Sequence, residues 1–240
     1  MAARASMKIS LPFDQLGQVV AGTAQELFPS MIQLDQPWSA DPPEAYCPRC
    51  GSGVGPGEVV AGKCAQCQTV TLPWQRLVRL GCFGSPLAQC IRDLKFRGHW
   101  KIAQWLGQQL AQSLPAGLDG GPLVVCPVPM FWARRWRRGY NQATLIADAL
   151  ARTRGWPMIR LLRRSQHRPP QTSVPASKRS LNVRNSFAVV HVDLSGHEVV
   201  LVDDVKTTGA TLTACSRLLC QAGAQRITIA VAAVADTRLG

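Results

Sequence analysis

The feature that most constrains the fold is an apolar run that ends in two acids and leads, through a short hydroxylic stretch, into a helical pattern. Residues 198–202 are rich in β-forming valine, and Asp203 and Asp204 follow directly. Apolar residues then recur at helical spacing over 211–221, and Gly223 is placed to end that helix. A strand, a short loop and a helix in this order predict one unit of a parallel α/β sheet.

The stretch between this strand and helix has the composition of a phosphate-binding loop. Residues 206–211 read Lys-Thr-Thr-Gly-Ala-Thr. Free amides at a helix N-terminus and threonine hydroxyls suit a dianionic phosphate, and Gly209 permits the backbone torsions of a tight turn. Two carboxylates beside such a loop can accept hydrogen bonds from sugar hydroxyls, directly or through Mg²⁺. We therefore expect a sugar phosphate as the ligand.

The chain from residue 74 onward alternates between strand and helix patterns. Strands are predicted at 77–83, 123–126, 158–162, 187–192, 198–202 and 227–234. Helices are predicted at 86–96, at 100–114, from the N-cap Asn141 to about residue 154, and at 211–221. Residues 117–122 are expected to form a loop. The alternation predicts an α/β fold with a parallel sheet, preceded by a small module.

The net charge of +13 is concentrated in one part of the chain. Between residues 131 and 184 there are thirteen arginines and lysines against a single acid, Asp148. This concentration indicates a localised face for a polyanion, and a solvated arginine-rich face without a ligand is the alternative. Within it, residues 163–185 show neither helical nor alternating periodicity, which predicts a long functional loop.

The nine cysteines divide into two close pairs and five scattered residues. Thirteen residues separate the pairs, a spacing that brings four thiolates to one tetrahedral Zn²⁺ and leaves no open position for catalysis. The predicted structural zinc ligands are Cys47, Cys50, Cys64 and Cys67. The others lie in apolar segments and are expected to be buried packing residues; they are Cys82, Cys90, Cys126, Cys215 and Cys220.

These patterns predict three parts: an N-terminal arm and linker at 1–45 with an amphipathic helix at about 11–28, a zinc-ribbon module at 46–73, and a larger domain at 74–240. The length of 240 residues and the 46% hydrophobic content allow at least one full core. No apolar run approaches the roughly 20 residues that span a bilayer. The N-terminus also lacks the pattern of a signal peptide, so we expect a cytoplasmic protein.

Residues 200–211 resemble the phosphoribosyl-pyrophosphate (PRPP) signature of type I phosphoribosyltransferases. The resemblance implies that Asp203 and Asp204 hold the ribose 2- and 3-hydroxyls. It implies that the 5-phosphate is held by Lys206, Thr207, Thr208, Gly209, Ala210 and Thr211. The strand end that includes Val128 and Pro129 resembles the pyrophosphate loop of that family, and Mg²⁺ is expected to bind with PRPP.

A larger part of the chain, about residues 47–235, resembles the ComF/GntX family of competence proteins. The matching features are the cysteine quartet, Arg138-Gly-Tyr-Asn-Gln142, and Gln171, Arg179, Asn182 and Phe187. This resemblance implies a role in handling incoming single-stranded DNA during transformation. It also implies partners, namely single-stranded DNA and a DNA-uptake helicase or processing protein.

The sequence departs from the ComF/GntX pattern at two places. Family members often carry additional zinc-ligand cysteines directly after a Leu-Phe-Pro segment, but here Leu27-Phe28-Pro29 is followed by Ser30-Met31-Ile32, so only one zinc site is supported. Lys206 stands where an aliphatic residue is usual. Pairing with pyrophosphate and pairing with Asp204 both remain open for it.

Phosphoribosyl transfer needs charge neutralisation on departing pyrophosphate more than it needs a strong base. The candidates for this role are arginines of the long loop, which resembles the mobile hood of the family: Arg163, Arg164, Arg168 and Arg179. Asp203 and Asp204 are the other candidate catalytic residues, since the resemblance implies that they hold the ribose. Arg137 and Arg138 are second choices, and His167 is expected to be an exposed loop residue. No segment of the sequence identifies the acceptor.

The second hypothesis is a non-catalytic protein that binds single-stranded DNA. Aromatic side chains stack on bases while guanidinium groups neutralise phosphates. The interleaved residues are Phe131, Trp132, Arg134, Arg135, Trp136, Arg137, Arg138 and Tyr140. The structural alternative is that Trp132 and Trp136, four residues apart, pack on one helix face.

Overall fold

The computed structural model describes residues 38–119, 121–130, 139–164, 186–190 and 192–235. Its strands are β1 Val59–Val60, β2 Lys63–Cys64, β3 Arg76–Cys82, β4 Leu123–Pro127, β5 Leu162–Arg164, β6 Phe187–Val189, β7 Glu198–Lys206 and β8 Arg226–Val234. Its α-helices are α1 Ala65–Gln68, α2 Leu87–Phe96, α3 Trp100–Ser113, α4 Gln142–Arg154 and α5 Ala210–Gln221. The predicted helix at 11–28 lies outside the described residues.

A four-stranded parallel sheet with the order β3-β8-β7-β4 forms the centre of the molecule. Its strands are apolar on both faces, because each face is covered. One face includes Leu77, Cys126, Leu201 and Ile229, which share a core with α5 and with the β5–β6 hairpin. The prediction of a parallel α/β sheet is confirmed.

Helices α3 and α4 pack against each other and against the sheet, over the strand residues that alternate with those of the first face. Their contact is close at Gly107, where a Cβ atom would lie 2.5 Å from the carbonyl oxygen of Ile146. Asn141 caps α4 as predicted, since its side chain accepts a hydrogen bond from the backbone N–H of Ala143 at 3.1 Å. Among the described residues, no helix is long and apolar enough to cross a membrane.

Several predicted elements differ from those observed. The strand expected at 158–162 is a single bridge from Met158 to Val125, followed by β5, which pairs antiparallel with β6. The predicted long loop therefore begins with two residues of a strand. Composition cannot reveal this pairing, because the partner lies on a distant segment. The strand expected at 187–192 ends at Val189, and the expected loop at 117–122 overlaps a 3₁₀ helix, Ala116–Asp119.

The prediction that all five scattered cysteines are buried is wrong for Cys220. Cys90, Cys126 and Cys215 are buried, and Cys82 is half-buried at the end of β3. Cys220 is exposed, as are Arg217 and Gln221, because these positions share the outer face of α5.

The cysteine-rich module is a small hairpin of β1 and β2 followed by α1, and it packs directly on β3. The Trp74 indole Nε1 donates to the Arg49 carbonyl at 2.8 Å, and the Leu77 amide donates to the Pro48 carbonyl at 2.8 Å. A Cβ atom on Gly51 would lie 2.5 Å from a Leu77 methyl carbon. The absence of a side chain at Gly51 therefore permits this close packing. The boundary expected at residue 74 stays a prediction.

Arg79 of β3 is the main polar link between the module and the sheet. It is only 1% exposed. Its guanidinium donates to the Gly51 carbonyl at 2.7 Å and to the Asp41 carboxylate at 2.8 Å, and it lies 5.0 Å from the centre of the Tyr46 ring. Replacing this buried charge is costly, because the Gly51 carbonyl and the Asp41 carboxylate, which is 33% exposed, would both lose their hydrogen bond to it.

We expect Arg79→Ala to lower the free energy of unfolding by about 3 kcal/mol, since it leaves Asp41 and the Gly51 carbonyl without their buried partner. The matched control is Arg152→Ala. Arg152 also pairs with an aspartate, Asp148, at 3.0 Å, but its side chain is 80% exposed. The control should change stability by less than about 1 kcal/mol. Urea denaturation measures both changes, and equal losses would contradict the assigned role of Arg79.

Candidate functional site

The two adjacent acids lie on the last part of β7, at the carboxyl end of the parallel sheet. The strand was predicted to end at Val202, but it continues to Lys206 because β8 pairs with it that far, through Asp203 with Val231 and Lys206 with Val234. Asp203 and Asp204 are therefore held by strand pairing, and the turn before α5 is confined to residues 207–209.

Both carboxylates are oriented by backbone amides. The Asp204 N–H donates to Asp203 Oδ1 at 2.9 Å, and the Val205 N–H donates to Asp204 Oδ1 at 2.7 Å. Burial, followed by the charge of Asp204, raises the pKa of Asp203 well above its usual range.

Lys95 is a cation of this site that the sequence analysis did not identify. Its Nζ atom lies 2.8 Å from Asp204 Oδ2. The residue lies in the predicted helix at 86–96, and its distance along the chain from Asp204 left no local signal of the contact. Asp204 thus has Lys95 as a lysine partner. The two pairings considered for Lys206, with pyrophosphate and with Asp204, stay predictions.

The turn after β7 leads into a helix whose N-terminus carries no side-chain cap. Gly209 has a φ of +76°, in the left-handed region that glycine adopts without strain. Thr208 Oγ1 lies 3.4 Å from the Ala210 nitrogen, and Thr207 and Thr208 are exposed. The side chain of Lys206 runs along this turn, with its Cε 3.3 Å from the position that a Cβ on Gly209 would take. The arrangement presents amides and hydroxyls to an anion.

The loop after β4 lies beside Val202 of β7, the residue directly before the two acids. The Val128 N–H donates to the Val202 carbonyl at 2.9 Å, and the Val128 carbonyl accepts from Asn141 Nδ2 at 2.9 Å. Asn141 thus joins this loop to the cap of α4. Pro129 follows Val128 in the half-buried part of the loop. The segment expected to hold pyrophosphate therefore lies beside Val202, the residue directly before the two acids.

Two of the predicted arginines lie on the β5–β6 hairpin. Arg163 is exposed, while the Arg164 guanidinium lies 5.1 Å from the centre of the Phe187 ring. The charge of Arg164 also acts on the buried thiol of Cys215, whose pKa it lowers. Burial, the largest influence, and the charge of Asp203 raise the pKa of this thiol. The remaining predicted site residues lie outside the described part of the chain: Trp132, Arg134, Arg135, Trp136, Arg137, Arg138, His167, Arg168 and Arg179.

The four predicted ligand cysteines form a buried cluster. Their sulfur atoms all lie within 4.8 Å of one another. The Sγ separations are 3.6 Å for Cys47 and Cys67, 3.6 Å for Cys50 and Cys64, and 3.9 Å for Cys64 and Cys67. Four sulfurs, each about 2.3 Å from a central zinc ion, stand about 3.8 Å apart in a tetrahedron. The residues therefore fit a metal centre of the kind expected in a zinc ribbon.

The surroundings of the cluster favour the thiolate form of Cys47. Burial is the strongest influence on this thiol and acts to raise its pKa. The backbone amides of Cys50, Arg49 and Cys64 outweigh burial and lower the pKa to about 7. The amides thus favour at Cys47 the thiolate, which is the form that binds metal, whereas burial raises the pKa of Cys50 and of Cys67.

Comparison with known proteins agrees with this architecture. Residues 137–238 match the family model described as phosphoribosyl transferase domain. The parallel α/β sheet and this match together identify the fold as that of a phosphoribosyltransferase-type domain. Among solved structures, glutamine PRPP amidotransferase from B. subtilis is similar at 22% identity over 54% of this chain and 25% of that one, with a TM-score of 0.38. A similarity this low supports no further conclusion.

Similarity to curated proteins extends over most of the chain. Competence protein F of Haemophilus influenzae is 32% identical over 195 residues, which cover 77% of this chain and 82% of that protein. DNA utilization protein YhgH of Escherichia coli K12 is 32% identical over 194 residues, 78% of this chain and 82% of that one. Competence protein ComFC of Bacillus subtilis is 26% identical, with coverages of 74% and 72%. The chain belongs to the ComF family of competence proteins.

We expect metal analysis of the purified protein to find one zinc ion per chain. The double variant Cys47→Ser/Cys64→Ser should lose it, because two of four ligands are removed. Cys90→Ser is the control, since Cys90 is buried outside the cluster. Zinc retained by the double variant, or absent from the wild-type protein, would contradict the assignment.

Proposed function

We propose that the protein binds PRPP or a related ribose 5-phosphate, with Mg²⁺, at the carboxyl edge of the sheet. The observation that carries this proposal is the juxtaposition of Asp203 and Asp204 with the uncapped N-terminus of α5. Carboxylates select sugar hydroxyls and a helix N-terminus selects phosphate, so a ligand with both groups fits the pair better than a bare phosphate does.

Each part of the ligand then has a proposed partner. Asp203 and Asp204 accept hydrogen bonds from the ribose hydroxyls. The 5-phosphate is bound by the turn and the first turn of α5, through Lys206, Thr207, Thr208, Gly209, Ala210 and Thr211. We assign the loop with Val128 and Pro129 to the pyrophosphate group, because Val128 lies beside Val202, the residue directly before the two acids.

Phosphoribosyl transfer to an acceptor is the catalytic extension of this proposal. Mg²⁺, when bound with PRPP, supplies charge neutralisation for departing pyrophosphate. The chain's own contribution is proposed to come from Arg163, Arg168 and Arg179, whose guanidinium groups can pair with the leaving group. The acceptor is unknown, and screening amines and bases for pyrophosphate release identifies it. We also propose a cytoplasmic location, where the thiolates of a zinc ribbon stay reduced.

Calorimetry with PRPP and Mg²⁺ tests the site. We expect Asp203→Asn/Asp204→Asn to weaken binding at least about tenfold, because two carboxyl groups that accept hydrogen bonds from the ribose hydroxyls are lost. Asp193→Asn is the control, since the Asp193 carboxylate is exposed and accepts from the Ser195 backbone N–H and hydroxyl, away from this edge. Equal affinities in the wild type and the double variant, or no binding by either, would refute the proposal.

Single-stranded DNA binding is the second candidate function, and a surface at the junction of α2 and α3 favours it. Phe96 is 69% exposed and Trp100 is 60% exposed, and the exposed arginines Arg92 and Arg97 flank them. Exposed aromatics beside cations suit stacking on bases with neutralisation of phosphates. Of the three relatives described above, two are named for competence and one for DNA utilization. We propose that this aromatic surface acts together with the basic segment 131–138.

Titration of the protein with fluorescent single-stranded DNA at several salt concentrations separates the two parts of this surface. We expect Phe96→Ala/Trp100→Ala to weaken binding about tenfold or more while leaving the salt dependence unchanged, because stacking releases no counterions. Replacing Arg134, Arg135, Arg137 and Arg138 by glutamine should instead reduce the salt dependence. A salt dependence unaffected by the arginine changes would remove the basic segment from the interface, and unchanged affinity in the aromatic variant would remove Phe96 and Trp100.

A further inference from the structure

The ion pair between Lys95 and Asp204 joins helix α2 to the acids at the carboxyl edge of the sheet. The Lys95 ammonium is 2.8 Å from Asp204 Oδ2, and the two side chains are 23% and 15% exposed. Water and salt screen such a pair much less than an exposed one. Since Asp204 Oδ1 accepts the Val205 N–H at 2.7 Å, both oxygens of this carboxylate have a protein partner.

The helix that carries Lys95 is itself held at this end. The Tyr140 hydroxyl donates a hydrogen bond to the carbonyl oxygen of Leu94, the residue before Lys95. Leu94 is fully buried in the core. Tyr140 directly precedes Asn141, which joins α4 to the loop after β4. The position of Lys95 is thus fixed relative to two segments of the site.

We infer that Lys95 is a positioning residue for the ribose site, where it holds the Asp204 carboxylate in the orientation that accepts a sugar hydroxyl. The inference rests on the proposed function. Each carboxylate oxygen can accept more than one hydrogen bond, so the ammonium leaves capacity for a hydroxyl on Asp204. Against the larger effects of burial and of Asp204, the charge of Lys95 also acts to lower the pKa of Asp203.

The opposite role would be that of a plug: the Lys95 ammonium would block the Asp204 carboxylate, and the ligand would have to displace the ammonium before it could bind there. The two roles predict opposite changes in the affinity for the ribose ligand when Lys95 is replaced. Removing a positioning residue weakens ribose binding, whereas removing a plug strengthens it. They also differ in selectivity, because a contact to the hydroxyl-binding acid affects a sugar phosphate and leaves a ligand without hydroxyls unaffected.

The experiment compares Lys95→Met with the matched control Lys101→Met, an exposed lysine on α3, by calorimetry with ribose 5-phosphate and with inorganic phosphate. We expect Lys95→Met to bind ribose 5-phosphate about tenfold more weakly, the loss typical of a hydrogen bond between charged groups. Inorganic phosphate should bind as in the wild type. Lys95→Arg should restore most of the affinity for ribose 5-phosphate, and Lys101→Met should match the wild type for both ligands.

Other outcomes overturn the inference in distinguishable ways. If the wild type binds ribose 5-phosphate and Lys95→Met binds it equally or more tightly, the positioning role is wrong while the proposed function stands. An equal loss for both ligands also overturns it, since Lys95 then acts on the whole site. If the wild type binds neither PRPP nor ribose 5-phosphate, the proposed function fails and the inference fails with it. If Lys95→Met does not fold, Tyr140→Phe takes its place, and a selective but smaller loss for ribose 5-phosphate is expected.

Discussion

Strand β7 is paired on both sides, with β4 along one edge and β8 along the other, and the rest of the site depends on this pairing. The register of Val202 with Pro127 brings the loop after β4 beside the part of β7 that directly precedes the two acids. The register of Lys206 with Val234 extends the strand through both acids. A shift by one residue would turn every side chain of β7 to the opposite face and remove both acids from their present positions.

The cysteine-rich module depends on the sheet as well as on its metal ligands. Its hairpin has strands of two residues each and little apolar surface of its own. A unit of this size needs a metal or a larger neighbour to be stable. The quartet provides the first and β3 provides the second, through Arg79 and the close approach of Gly51 to Leu77. The module and the sheet that carries the candidate site therefore pack together as one unit.

Charge is distributed in two ways that match two kinds of anionic ligand. The large positive surplus is spread over residues 131–184, which suits a polyanion that contacts many cations weakly. At the sheet edge, in contrast, cations and acids are individually placed, with Lys95 on Asp204 and Lys206 beside Gly209. Individually placed charges suit a small ligand with defined hydroxyl and phosphate positions.

The sequence by itself determined the elements whose signals are local. Apolar runs predicted the four strands of the sheet, Asn141 marked the start of α4, and the spacing of the cysteine pairs predicted the metal cluster. Only the tertiary structure decided the contacts between distant segments: the extension of β7 through Lys206, the β5–β6 hairpin, and the pairing of Lys95 with Asp204. The reason is physical. A propensity or a cap depends on neighbouring residues, whereas a strand partner or a counter-ion is chosen by packing, which brings together residues that the sequence keeps far apart.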